Sequence, residues 1–166
     1  MKKIKLLIWI IVLTILDASV MKHMRIFNAV PILTYSFLIC VAILDDEFTV
    51  TAIAGGICGI IGGSLFGQDF YFTFIFYSLS AVAVFYLKSR PRYMHKIFKV
   101  LFWCGVFSFI WGIGMQLIAV RTITLRMMYS SIIAGTVYNM AASAAVYPIL
   151  ERTVYRSEMK RVLINK

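Results

Sequence analysis

The sequence contains few charged residues and few residues that interrupt helices. Only 14% of its 166 residues are charged, against about 25% in typical soluble domains, and it has three prolines. Hydrophobic residues make up 61% of the chain, and the mean hydropathy is +0.88. A water-soluble fold of this size could not bury so much apolar surface, whereas lipid tails solvate it without penalty. The composition therefore excludes a soluble globular domain and predicts an all-α, polytopic membrane protein.

Side chains that bind metals or perform catalysis are also scarce. The two histidines, His23 and His95, fall in different predicted loops on opposite sides of the membrane. The three cysteines, Cys40, Cys58 and Cys104, lie within apolar runs and lack the spacing of metal ligands. They are interpreted as small buried hydrophobic residues. The sequence has no Ser-His-Asp set, no phosphate-binding glycine loop and no paired carboxylates deep within a predicted span. It therefore predicts no enzyme, no cofactor and no metal site.

Six apolar segments approach the roughly 20 residues with which a helix crosses about 30 Å of hydrocarbon. They cover about residues 5–21, 29–44, 48–66, 70–87, 100–120 and 127–150, within a single transmembrane domain of residues 1–166. Pro31 is expected to open the second helix in its first turn. The first segment is interpreted as a retained helix, because residues 17–20 form a poor signal-peptide cleavage site.

Basic residues cluster between these segments and predict the orientation. The net charge is +10, and a cytoplasmic N-terminus places 13 of the 17 lysines and arginines on the cytoplasmic side. This asymmetry predicts that both termini are cytoplasmic. Clusters of this kind differ from the basic patch of a nucleic-acid-binding domain, so no nucleic acid is expected as a partner. The basic loop of residues 88–99 could contact a cytoskeletal filament, lipid headgroups or neither.

Small residues recur at every fourth position in the third and sixth segments. Residues four apart lie on the same face of a helix, so each series predicts a face that another helix can approach closely. The predicted helix-packing or partner-interface residues are Gly55, Gly59, Gly63 and Gly67 in the third segment and Ser131, Gly135, Asn139 and Ser143 in the sixth. The pattern does not distinguish a face that packs within the chain from a face that forms a subunit interface. Asn139 lies near the middle of its span and is expected to make an interhelical hydrogen bond.

The arrangement resembles the MreD family of bacterial rod-shape proteins. The resemblance covers the layout of the whole chain and rests on a basic N-terminal helix and three local patterns. These patterns are the turn 25–31 (RIFNAVP), the glycine-rich stretch 54–63 (AGGICGIIGG) and the final helix from YNMAA to YPIL (138–150) with its basic tail. The family commonly has an acidic residue directly after the proline, where this chain has Ile32.

The resemblance implies a non-enzymatic scaffold in the bacterial cytoplasmic membrane. Such a protein would bind the bitopic protein MreC and associate with the glycosyltransferase–transpeptidase pair that builds side-wall peptidoglycan, and with an actin-like filament. The family's fold is similar to the substrate-binding S components of energy-coupling-factor vitamin importers, which supply the alternative function. An S component would need polar residues converging on an outer pocket, for which this chain offers Asp17, Asp69, Gln116 and Asn139. A small exporter would need charge within the membrane, which the sequence nearly lacks.

Overall fold

The computed structural model describes residues 2–19, 29–66, 70–89, 94–120 and 128–155. Helices account for 91% of these residues, so the all-α fold is confirmed. The α-helices are α1 (Lys2–Ser19), α2 (Leu33–Leu44), α3 (Phe48–Phe66), α4 (Phe70–Leu87), α5 (Lys96–Val120) and α6 (Ala134–Leu150). A π-helical segment precedes α6 at Met128–Ile133, and another follows it at Glu151–Tyr155.

Among the described residues, three helical segments are long and apolar enough to cross a membrane: Phe70–Leu87, Lys96–Ile118 and Tyr129–Tyr155. Apolar helices of this length are what an integral membrane protein requires. Two shorter apolar helices accompany them, Leu33–Leu44 and Phe48–Ser64. Passage of all six segments through the membrane and the cytoplasmic position of the termini stay predictions.

Helix α2 lies at the centre of the bundle. Every residue from Thr34 to Leu44 is buried, and α1, α3, α4, α5 and α6 all pack against it. A helix that is apolar around its whole circumference occurs either in a protein core or in a membrane span, and α2 (LTYSFLICVAIL) is of this kind. Its 12 residues give a length of about 18 Å, well short of a full bilayer crossing.

Two helical hairpins surround α2. Helices α3 and α4 pack against each other along their length, and α5 packs against α6. Helix α1 contacts α2 most closely and touches α3 over a shorter stretch. At one end of the bundle, called here the Lys2 end, the first residues of α1 meet the turn after α2 and Tyr155. The opposite end, where Asp17 contacts Leu33 and Thr34, is called the Asp17 end.

The second helix begins later than the sequence predicts. It starts at Leu33 instead of about residue 29, and Pro31 lies in the extended segment before it and not in its first turn. Ile32 has an extended backbone, with φ −111° and ψ 95°. The reason is that side chains from two other helices satisfy the backbone N–H groups of residues 32–34, so no preceding helical turn is required.

The last two helical segments are longer than apolarity alone indicates. Helix α5 begins at Lys96 instead of about residue 100, and helical structure after α6 continues through Arg152 to Tyr155. Apolar runs mark the part of a helix that suits lipid, whereas backbone hydrogen bonding continues into the charged flanks. Pro148 lies within α6 without ending it, and the π-helical turn follows directly.

Candidate functional site: polar contacts at the ends of α2

Asp17 connects α1 to the beginning of α2. Its side chain is fully buried, and its two carboxylate oxygens accept hydrogen bonds from the backbone nitrogens of Leu33 and Thr34, both at 2.8 Å. The hydroxyl of Thr34 donates a third hydrogen bond at 2.5 Å. The first N–H groups of a helix have no partner within the helix, and its dipole favours negative charge there. Asp17 therefore caps α2 from a different helix.

Asn139 completes this cap from α6. Its side-chain oxygen accepts a hydrogen bond from the backbone nitrogen of Ile32 at 2.8 Å, and its side-chain nitrogen donates to the hydroxyl of Ser108 on α5 at 3.1 Å. The Asn139 carbonyl accepts from the Ser36 hydroxyl at 3.0 Å and from the Cys104 thiol at 3.4 Å. One residue thus joins α2, α5 and α6.

Together these contacts satisfy three consecutive backbone donors, at residues 32, 33 and 34. An unsatisfied buried donor costs about 1–3 kcal/mol, and more within lipid, where no water can replace the lost partner. Asn139 makes an interhelical hydrogen bond, whereas Asp17, which the sequence offered only for an outer pocket, is buried as a helix cap. The available signal was the lone acid in the last turn of an apolar helix.

Asp45 connects the helices at the Lys2 end. It is fully buried, and its carboxylate accepts hydrogen bonds from the Lys2 ammonium at 2.9 Å, the Tyr155 hydroxyl at 3.1 Å and the backbone nitrogen of Glu47 at 2.9 Å. Residues 45–47 (DDE) form an acidic turn directly before α3, where the helix dipole favours negative charge. The structure adds that this turn links α1 to the end of the last helical segment.

Lys88 extends these contacts into the basic loop. Its ammonium donates to the Asp45 carbonyl and lies 3.7 Å from a carboxylate oxygen of Asp46, while Lys99 donates to the Lys88 carbonyl at 3.0 Å. Partial burial lowers the pKa of Lys88, and the neighbouring charges of Asp46 and Asp45 oppose this shift. Two of the basic residues of segment 88–99 thus make contacts within the protein; residues 90–93 lie outside the described residues.

The glycine face of α3 packs against the backbone of α4. A Cβ atom added at Gly59 would lie 3.0 Å from the Cα of Phe74, and one at Gly63 would lie 2.9 Å from the Phe70 ring and 3.1 Å from its Cα. At Gly55 it would lie 3.0 Å from the Cβ of Ala81. The two helices approach closely only because these positions lack side chains. This face is therefore occupied by the chain itself; Gly67 lies outside the described residues.

The four predicted interface residues of the sixth segment lie in the protein core or along a cavity. Asn139 and Ser143 are buried, and the Ser143 carbonyl faces the Cys40 thiol at 3.8 Å. Ser131 and Gly135 line a cavity of about 160 Å³ at the Asp17 end, to which buried Asn139 also contributes, together with Ser108 and Gln116. A Cβ atom at Gly135 would have only ordinary contact with Ala29, at 3.9 Å.

The three cysteines lie in the core with free thiols, and each is 0% exposed. Within the described ranges, no group of three or more His, Cys, Asp or Glu side chains is arranged to hold a metal ion. Of the four polar residues that a vitamin pocket would need, the cavity brings together Gln116 and Asn139. Asp17 caps α2 instead, and Asp69 falls outside the part of the chain that the structure describes.

Comparison with known proteins returns no relative: no family model, no curated protein and no solved structure matches the chain.

Proposed function

We propose that this protein is a non-enzymatic scaffold subunit of the bacterial cell-shape machinery, of the MreD type, in the cytoplasmic membrane. It would bind an MreC-like bitopic protein and support side-wall peptidoglycan synthesis by a glycosyltransferase–transpeptidase pair. The observation that carries the proposal is the use of the buried polar residues. Asp17, Asn139 and Asp45 all hold helices together, which builds a rigid bundle with large apolar side chains on its outer faces.

Those outer faces suit lateral contacts within a membrane. Among the described residues, large apolar side chains that are at least 60% exposed occur on five helices or helical segments: Ile4, Ile15, Ile53, Tyr71, Leu79, Tyr86, Tyr129 and Val137. Scattered exposed hydrophobes are what lipid contact requires, and the same faces can accept the transmembrane helix of a bitopic partner. The glycine face of α3 is unsuited to this role, because α4 already fills it.

The position of Asp17 also supports the resemblance to the MreD family. That family commonly has an acidic residue directly after the proline, and this chain has Ile32 there. Asp17 brings a carboxylate to the same stretch of backbone, binding the nitrogens of Leu33 and Thr34. The start of α2 is thus capped by an acidic residue from α1, although the acidic residue that commonly follows the proline in the family is absent.

The alternative, an S component of a vitamin importer, draws on one observation. The cavity at the Asp17 end combines neutral polar side chains with apolar ones, and Trp111 adds an aromatic surface to its lining. Its volume of about 160 Å³ is nevertheless below the roughly 300–1,000 Å³ typical of pockets for drug-sized ligands. A vitamin would not fit without movement of the lining helices, so the scaffold function is favoured.

Affinity purification of the tagged protein from its native membrane, followed by proteomics, tests the proposal. Recovery of an MreC-like protein with cell-wall synthases is the expected result. Recovery of a coupling subunit with paired ATPases would overturn it. Mass spectrometry after detergent exchange provides a second test, because an S component should retain a small molecule and a scaffold should retain none.

A further inference from the structure

A groove between α1 and α3 opens on the surface of the bundle at the Lys2 end. Its volume is about 200 Å³, and Lys3 is the one charged residue among those that line it. Its floor is formed by buried side chains, Leu6 and Ala54, while Leu7 and Ile53 form an exposed rim (47% and 63%). Helix α2 packs against both α1 and α3, while α1 and α3 contact each other less extensively, which leaves the groove between them.

The length of the groove along α1 suits one lipid chain better than a transmembrane helix of a partner protein. On α1 the lining residues run from Lys3 to Ile10, a rise of about 10 Å at 1.5 Å per residue. Half of a hydrocarbon core of about 30 Å is about 15 Å, so the groove stays within one leaflet. A transmembrane partner would need a contact face that continues through the other leaflet. A volume of about 200 Å³ has room for roughly seven water-sized groups, and a segment of one acyl chain has a comparable size.

The charge at the groove's end indicates the type of lipid. The two ion pairs among the described residues use Lys2 and Lys88 and do not involve Lys3. The same two pairs occupy Asp45 and Asp46, two of the three acids in the neighbouring turn. The exposed ammonium of Lys3 is therefore available to a phosphate group at headgroup level.

We infer that the α1–α3 groove binds one acyl chain of an anionic phospholipid, whose headgroup phosphate is held by Lys3. The inference goes beyond the scaffold function and does not depend on it. The lipid would fill the gap between two helices that touch over only a short stretch, and would anchor the N-terminal end of α1 in its leaflet.

Native mass spectrometry of the full chain, purified in detergent and titrated with phosphatidylglycerol or phosphatidylcholine, tests the inference. The wild-type protein is expected to bind the first phosphatidylglycerol more tightly than phosphatidylcholine. Lys3→Gln should weaken that step about fivefold, the effect of removing one lysine near an anionic headgroup. Lys96→Gln is the matched control, because Lys96 is also exposed, lies at the start of α5 and does not line the groove.

A second pair of variants tests the groove itself. Ile53→Trp adds bulk at the rim, while Ile60→Trp makes the same change two turns along the same exposed face of α3 (48% exposed), away from the groove. Loss of the first binding step in Ile53→Trp but not in Ile60→Trp is expected. Equal effects within either pair, or equal affinity of the wild-type protein for the two lipids, would overturn the inference.

Discussion

One carboxylate oxygen of Asp17 accepts two hydrogen bonds from Thr34, one from its backbone nitrogen at 2.8 Å and one from its hydroxyl at 2.5 Å. The other oxygen accepts from Leu33. The last turn of α1 therefore fixes the first turn of α2, and α2 is the helix against which all the others pack. Together with Asn139, which accepts from the backbone nitrogen of Ile32, Asp17 thus determines where the central helix begins.

Asp17→Ala should lower the free energy of unfolding by about 3 kcal/mol, because it leaves two buried backbone donors without an acceptor. Thr34→Val removes only the hydroxyl donor and should cost less than half as much. Unfolding in detergent–SDS mixtures, followed by circular dichroism, provides the measurement. An Asp17→Ala variant as stable as the wild type would contradict the capping role.

The Asn139–Ser108 contact predicts a positive coupling energy between α5 and α6. In a double-mutant cycle of Asn139→Ala and Ser108→Ala, the coupling should be about 0.6 kcal/mol, the average for interhelical hydrogen bonds in membranes, and at most about 1.7 kcal/mol. Asn139→Ala alone should cost more than this, because it also removes the acceptor for Ile32. Additive single effects would show that the two side chains do not interact.

Two neighbouring glycines on α3 should respond differently to alanine. At Gly59 a Cβ atom would press on the backbone of Phe74 at 3.0 Å, whereas at Gly56 it would meet only the Phe74 ring, at 4.0 Å. Overpacking costs about 1–3 kcal/mol, while alanine favours a helix over glycine by about 1 kcal/mol. Gly59→Ala should therefore be destabilised relative to Gly56→Ala by about 2 kcal/mol, measured by unfolding in the same detergent mixture. Equal stabilities would mean that α3 and α4 are not in close contact there.

The predicted orientation can be tested with single introduced cysteines, since all three native thiols are 0% exposed and should contribute little background. Ser89→Cys, in the exposed turn after α4, should react with a membrane-impermeant maleimide only after the cells are permeabilised. Lys22→Cys, in a predicted outer loop, should react in intact cells. The reverse labelling pattern would show that the orientation is opposite to the predicted one.

Particular residues show which features the sequence can predict. The ends of α3 and α4 follow from abrupt changes in apolarity, and the shared face of Gly55, Gly59 and Gly63 follows from helical periodicity alone. The role of Asp17 does not follow, because it depends on which backbone lies beside it in three dimensions. The sequence also marks 29–44 as the shortest span, yet α2 is the most enclosed helix. Its all-round apolar composition does not distinguish it, because α3, α4 and α5 are apolar all round as well.

The scaffold function is tested most directly by photo-crosslinking in the native membrane from outward-facing positions on different helices. A photoreactive residue would replace Leu79 on α4, Phe109 on α5 or Val137 on α6, which are 63%, 37% and 60% exposed, with buried Phe37 as the control. If the protein is such a scaffold, at least one outward position forms an adduct with a bitopic MreC-like protein and position 37 forms none. Adducts with lipid alone at every outward position, or with an importer's coupling subunit, would contradict it.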